Sequence, residues 1–269
     1  MRRYIALVLM ALTLVSAALT GCGTAASGDK SWDKVKEKGE FILGLDESFP
    51  PMGFKDENNK ITGFDIDVAT EVCSRLGVKL VAQPINWDTK EEELNSGKID
   101  CIWNGFTITK DREANILFSK PYMNNRQVLV VKNDSTLAKL SDFAGKKLAL
   151  QASSSAADAL NASADFKSKL GEVIELDDNM NALMDLEKGG VDAVLMDEIV
   201  ANYNITTKKA NYKILDEALS SEEYGVGFRK NDNALMQKVQ GALDAMAKDG
   251  KLAEISTKWF GKDVTTVGK

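Results

Sequence analysis

From residue 41 onward, apolar runs of strand length alternate with segments of helical period. Residues 41–45, 78–83, 99–103, 127–132, 147–151, 191–196 and 224–229 are short runs of this kind, and each predicts a strand. Phe64, Val68, Val72 and Leu76 recur every four residues, with Ala69 and Cys73 beside them, which predicts an amphipathic helix stopped by Gly77. Further helices are expected up to Leu94, over 180–188, and over 233–259, where Asp249-Gly250 breaks the last stretch in two. Parallel strands need long crossovers, so this alternation predicts an α/β chain with parallel sheets and crossover helices.

One pattern occurs twice. Leu94-x-x-Gly97-x-Ile99-Asp100-x-Ile102 returns as Leu186-x-x-Gly189-x-Val191-Asp192-x-Val194. Each copy reads as a helix end, a glycine stop and a buried strand; the match is also short enough to arise by chance. Trp103-Asn104-Gly105 and Met196-Asp197 follow the two copies. They fall at strand carboxyl ends, where open parallel sheets bind ligands. Two lobes facing each other through such ends would enclose a cleft.

The segment ahead of this pattern is of another kind. Arg2 and Arg3 precede an apolar run from Tyr4 to Leu19, which is short for a membrane span and of signal-peptide length. It ends in Leu19-Thr20-Gly21-Cys22, which looks like a bacterial lipobox, in which the peptide is cut before Cys22 and the thiol takes a lipid. An ordinary secretory peptide with an incidental cysteine is the alternative. Residues 1–22 are therefore expected to be a lipoprotein signal peptide and 23–30 a flexible tether, with the mature chain outside the membrane on its anchor.

Composition narrows the chemistry. The chain has no histidine, which removes Ser-His-Asp and Cys-His catalysis and histidine metal sites. A net charge of -6 argues against nucleic acid as a partner. No Cys, Asp or Glu cluster has metal-ligand spacing, so neither metal nor cofactor is expected. Cys73 and Cys101 read as packed thiols, with a bridge between them as the alternative outside the cell.

Several weak motifs then line up in one order. They are Gly44-x-Asp46-x-x-Phe49-Pro50-Pro51-Met52, Gly63-Phe64-Asp65-Ile66-Asp67, Gly97-Lys98-Ile99-Asp100, Thr107-Ile108-Thr109-x-x-Arg112 and Phe118-Ser119-x-Pro121-Tyr122. After them come Leu140-x-Asp142-Phe143-x-Gly145-Lys146-Lys147, Val191-Asp192-Ala193-Val194-x-x-Asp197, Asp249-Gly250-Lys251-x-x-x-Ile255 and Lys258-Trp259-Phe260-Gly261. Together they resemble the extracellular solute-binding proteins of polar amino-acid ABC importers. The resemblance implies a two-lobed periplasmic-binding-protein-like α/β fold (type II) with two strand crossovers. Lobe one would be 31–126 and 223–269, and lobe two 127–222.

The same resemblance implies a site for a free amino acid. Arg112 falls on the family's carboxylate-binding arginine; its planar fork suits two oxygens, and Thr109 reads as the cap of its helix. Asp197 falls on the ammonium partner, with an ordinary helix cap as the alternative. Asn104, Gly105 and Thr107 match the loop that offers a carbonyl and a hydroxyl to the same ammonium. Gln151, Ser153, Ser154 and Ser155 lie between a strand and a helix start, a second carboxylate cradle or a plain cap. Phe49 and Trp87 match aromatic walls. Asp46 and Asp65 are candidates for the side-chain pocket, with Asp65 alternatively a helix cap. An acidic pocket favours arginine first and glutamine second.

The function implied is capture of a polar or basic L-amino acid by lobe closure and its delivery to an ABC permease in the membrane, by a monomer without catalytic residues. The alternatives are an enzyme on the same scaffold, such as a cyclohexadienyl-type dehydratase working through a cleft carboxylic acid, and a sensor domain. A sensor would carry a fused spanning helix and signalling module, and none is expected before Lys269.

Overall fold

A computed structural model of the protein describes residues 28–269. The expected signal peptide, Cys22 and the first part of the tether lie outside the described residues. Asp29, expected in the tether, accepts hydrogen bonds from the backbone N–H of Ser31 and of Ala234, beside the helix Ser31–Lys38.

In chain order the first strands are β1 (Glu40–Leu45), β2 (Ser48–Phe49), β3 (Gly53–Lys55), β4 (Ile61–Thr62), β5 (Lys79–Pro84), β6 (Cys101–Ile102) and β7 (Ile116–Phe118). They are followed by β8 (Met123–Lys132), β9 (Lys147–Gln151), β10 (Glu172–Leu176), β11 (Ala193–Asp197), β12 (Tyr212–Tyr224) and β13 (Gly227–Arg229). The sheet of lobe one runs β5-β1-β6-β13-β7 and that of lobe two β10-β9-β11-β8-β12; β2, β3 and β4 form a small ribbon.

The three strands opening each list are parallel, as the alternation predicts. The sheets are nonetheless mixed, because β13 runs antiparallel to β6 and β7, and β8 antiparallel to β11 and β12. The exceptions share a cause. β13 enters lobe one from lobe two, and β8 enters lobe two from lobe one, so neither follows a crossover helix of its own lobe. The two copies of the repeated motif occupy the same slot, β6 beside β1 and β11 beside β9, each after a left-handed glycine (Gly97 φ 79°, Gly189 φ 80°).

β8 and β12 pair with each other through Met123–Tyr224, Asn125–Glu222 and Gln127–Ser220, and this ribbon joins the lobes. The expected boundaries at 126/127 and 222/223 lie inside it. Where the pattern predicts a strand over 224–229, the structure ends β12 at Tyr224 and starts β13 at Gly227. β12 escapes detection because it is an edge strand with register shifts and a mostly half-exposed or exposed sequence, so it shows no apolar alternation.

The helix Phe64–Leu76 buries Phe64, Val68, Ala69, Val72 and Cys73, and Gly77 closes it in the left-handed conformation at φ 72°. The last two helices, Asn233–Lys248 and Lys251–Phe260, meet at Gly250. Cys73 and Cys101 are buried free thiols. The largest apolar cluster does not stop at the lobe boundary: it runs from Phe64 and Val72 through Trp103, Tyr122 and Tyr224 to Val128, Met196 and Val200.

Candidate functional site

The chain turns sharply after β6. Gly105 has φ 56°, and a Cβ there would lie 2.9 Å from the Phe49 ring and 3.1 Å from that of Tyr224, so only glycine fits this approach. Asp65 fixes the turn from behind: its Oδ2 accepts from Gly105 N at 2.7 Å and from Tyr122 OH at 3.0 Å. Asp65 is fully buried, and burial pushes its carboxyl up to about 7 against the lowering effect of those two bonds. It is absent from the pocket lining, which corrects the expectation that it reaches a ligand. It does not cap its helix either, which opens at Gly63 without a side-chain cap. Asn104 Oδ1 accepts from Asp46 N at 2.9 Å, tying the turn to the end of β1.

Arg112 stands in the first turn of the helix Lys110–Asn115, whose start is capped by Thr109 Oγ1, accepting from Arg112 N at 3.2 Å. Its guanidinium lies 4.5 Å above the Phe106 ring and donates from Nη1 to the Thr107 carbonyl at 2.9 Å. The side chain is 7% exposed, and burial lowers its pKa while the charges of Asp158, Glu222 and Asp197 oppose that shift. A buried cation with most of its fork uncommitted is costly unless an anion completes it.

Lobe two supplies the facing wall. Ser154 caps the helix Ser155–Ala162 through Ala157 N at 3.3 Å and donates to Gln151 O at 2.7 Å. Ser153 is in the left-handed region at φ 53° and is missing from the lining; its contribution is a carbonyl that accepts from Lys90 Nζ at 3.0 Å. Gln151 reaches across the cleft, donating from Nε2 to Asp46 Oδ2 at 2.8 Å, while Thr107 Oγ1 of lobe one and Ser155 Oγ of lobe two lie within hydrogen-bond distance at 3.1 Å.

Asp197 ends β11 at 4% exposure, and its Oδ2 accepts from Tyr224 OH at 2.6 Å and Asn125 Nδ2 at 2.7 Å. It occupies the cap position of the helix Glu198–Thr206, yet its side chain makes no cap bond. Asn125 Oδ1 takes the Ile199 N–H instead, at 3.4 Å, which leaves the aspartate turned to the cleft.

These groups converge on one pocket, lined from both lobes by Asp46, Phe49, Trp87, Asn104, Gly105, Thr107, Arg112, Gln151, Ser154, Ser155 and Asp197. Every residue expected to bind ligand is there except Asp65 and Ser153. The pocket has about 290 Å³ of space between atoms, part of it open to solvent, where the two lobes meet. A larger open groove, lined by Lys120, Asp244, Lys248 and Lys269 among others, lies at the C-terminal end and gathers no buried charge. Among the described residues no three His, Cys, Asp or Glu side chains converge as a metal site, and no helix is long and apolar enough to cross a membrane.

Sequence reasoning missed Lys90 and Glu222. Lys90 is 5% exposed, donates to Trp87 O and Ser153 O at 3.0 Å each, and lies 5.1 Å from the Trp87 ring. Burial, with help from the Arg112 charge, lowers its pKa to about 8. Glu222 Oε1 accepts from Asn125, Gln127 and Thr107. Neither carries a local signal: Lys90 opens a run of glutamates and Glu222 sits in Ser-Ser-Glu-Glu, both of which read as solvated surface.

Residues 41–262 match the model of the bacterial extracellular solute-binding proteins, family 3, and the chain belongs to that family. It is 34% identical over 235 residues to the L-cystine-binding protein TcyJ of Escherichia coli, covering 87% of each chain. It is 32% identical to the L-cystine-binding protein TcyA of Bacillus subtilis, covering 97% of this chain and 98% of the relative. A solved substrate-binding protein of an ABC uptake transporter from Streptococcus pneumoniae, with bound histidine, is similar at a TM-score of 0.86 and 39% identity, covering 89% of this chain and 99% of that one. These relatives are binding proteins, and the chain is of their kind rather than an enzyme. Family members are extracytoplasmic or periplasmic.

Proposed function

We propose that this member of the family is the receptor of an ABC importer for a free polar or basic L-amino acid, arginine first and glutamine second. The observation that carries the reading is the pairing, in one closed pocket, of a buried arginine with uncommitted donors and a buried aspartate facing it from the other lobe. Arg112 takes the α-carboxylate in its fork, with the start of the helix Ser155–Ala162 opposite. Asp197, with the Gly105 carbonyl and the Thr107 hydroxyl, takes the α-ammonium. Phe49 and Trp87 cover the aliphatic part, and Asp46 faces the side-chain tip. Because the ligand touches both lobes, it favours the closed form by the contacts it makes only there. The closed form then docks on the permease, with the chain held to the membrane by a lipid at Cys22.

The relatives named for L-cystine put a third candidate beside arginine and glutamine, since a zwitterion uses the same Arg112–Asp197 pair whatever its side chain. The test is isothermal titration of the soluble chain, residues 28–269, with all twenty amino acids and L-cystine. Saturable binding of arginine or glutamine, ahead of cystine and histidine, is the expected result. Cystine alone would overturn the arginine-first order, and no binding by any of them would overturn the receptor reading itself.

A further inference from the structure

Glu222 has no part in the ligand contacts above, yet it holds the centre of a polar cluster. It lies on β12 opposite Asn125 of β8, in the ribbon that joins the lobes. Its Oε1 accepts from Asn125 Nδ2 at 2.6 Å, Gln127 Nε2 at 2.8 Å and Thr107 Oγ1 at 3.0 Å, with Ser155 Oγ at 3.5 Å. Those donors come from the ribbon, from lobe one and from lobe two. Asn125 Nδ2 also donates to Asp197 Oδ2 at 2.7 Å, so a single amide nitrogen holds both carboxyl groups side by side.

Two carboxylates this close in a buried site do not both ionise freely. Glu222 gathers its N–H and O–H donors on one oxygen and is only half-buried. Asp197 is more deeply buried and has two donors; burial first, and then the Glu222 charge, push its carboxyl up to about 8.

The groups around the pair leave that balance in place. Tyr224 of β12, Asn125 and Gln127 of β8, and Ser155 of the helix Ser155–Ala162 are neutral. Glu198, next to Asp197 on the following helix, is tied to Arg126. Arg112 is the cation that feels both carboxylates, and Asp158 and Glu91 act on it in turn.

We propose that Glu222 is a positioning residue that sets the charge of the ammonium site: it keeps a proton on Asp197 in the ligand-free closed site, and the ligand's ammonium replaces that proton, which leaves to water. This rests on the reading of the chain as an amino-acid receptor. Protons balance: the Asp197 O–H bond breaks, the carboxylate pairs with the incoming R–NH₃⁺, and buffer takes up H⁺. Since the ligand binds the deprotonated pair, its affinity falls as pH falls, by about tenfold per unit at most for one linked proton.

The experiment is titration calorimetry with L-arginine and L-glutamine at pH 6.5, in two buffers of different ionisation enthalpy, on the wild-type chain and on Glu222→Gln. Glutamine keeps an acceptor oxygen for the same donors, so the cluster survives. The expected result is release of about one proton per ligand by the wild type and much less by Glu222→Gln, whose affinity also loses its pH dependence between 5.5 and 7.5. Equal proton release by both proteins, or none by the wild type, overturns the proposal. If neither amino acid binds, the receptor reading fails separately, and carboxyl ¹³C titration of the ligand-free protein still decides this one. An Asp197 that titrates near 8, and at least about 300-fold more acidic in Glu222→Gln, supports the proposal, whereas an ordinary aspartate titration in the wild type overturns it.

Discussion

The two lobes share a sheet order but hold their halves of the pocket by different means. In lobe one the site residues are tied to their own lobe: Gly105 to Asp65, Asp46 to Asn104, Arg112 to the Thr107 carbonyl. In lobe two, where Ser154 and Gln151 are also held within the lobe, side chains reach outward as well, Gln151 to Asp46, Ser155 to Thr107, and Asp197 to Asn125 and Tyr224 of the connecting ribbon. The two buried aspartates carry the same contrast. Burial raises both carboxyls, Asp65 to about 7 and Asp197 to about 8, but Asp65 faces a turn of its own lobe and Asp197 faces the cleft. A buried acid spent on its own fold holds a turn in place; one left facing a cavity stays open to a partner from outside the fold.

Substitutions can break this contrast at either end. Arg112→Ala has the largest expected effect, a loss of about 30- to 5,000-fold in ligand affinity, because it strips the partner from a desolvated carboxylate at about 2–5 kcal/mol. Titration calorimetry measures it, and a loss below tenfold would remove Arg112 from the carboxylate site.

The aspartates should then separate. Asp65→Ala leaves the Gly105 N–H and the Tyr122 hydroxyl buried without an acceptor, at about 1–3 kcal/mol each, and should lower the melting temperature sharply. Asp197→Asn should leave the melting temperature unchanged or raise it, since a buried ionisable group is replaced by a neutral one, and should weaken ligand binding about tenfold or more. Thermal unfolding read beside calorimetry tests the pair. If both variants lose stability and affinity in the same proportion, the contrast between them is wrong.

The pH dependence sharpens the same point. Each of these carboxyls has a folded pKa above its unfolded value, so between about 4 and 7 the native state holds protons that the unfolded chain releases. Stability therefore falls as pH rises through that window, by up to about 1.4 kcal/mol per unit for each group. Asp65→Asn should flatten the part of this slope that lies below pH 7, as followed by urea unfolding at several pH values. An unchanged slope would mean that Asp65 ionises normally.

Lys90→Met is the smallest test. It keeps the apolar stem beside Trp87 and removes the bond to the Ser153 carbonyl that crosses the cleft. About one hydrogen bond's worth, 0.5–1.5 kcal/mol, should be lost from the closed form, as a few-fold faster ligand release in stopped flow. No change in release would make Lys90 a bystander.

Much of this molecule is legible along the chain. The helix Phe64–Leu76, its stop at Gly77, the cap of Thr109 under Arg112 and the cap of Ser154 all follow from neighbours a few residues apart, because periodicity and capping are local physics. The residues of the pocket, too, stood out by motif, though not their orientation. Asp65 and Asp197 both sit at helix starts and both read as caps, and neither makes a cap bond.

Which way each acid turns was decided by residues far off in sequence. Gly105 and Tyr122 draw Asp65 inward, and Asn125, by capping the helix in its place, frees Asp197 for the cleft. The same holds for β12, an edge strand visible only through its partner β8, and for Glu222 and Lys90, whose burial comes from the two lobes meeting. Chain neighbours determine which elements form and where they start and stop. The burial of a charge, and the partner that answers it, belong to the packed lobes alone, because desolvation is a property of everything that surrounds a group in space.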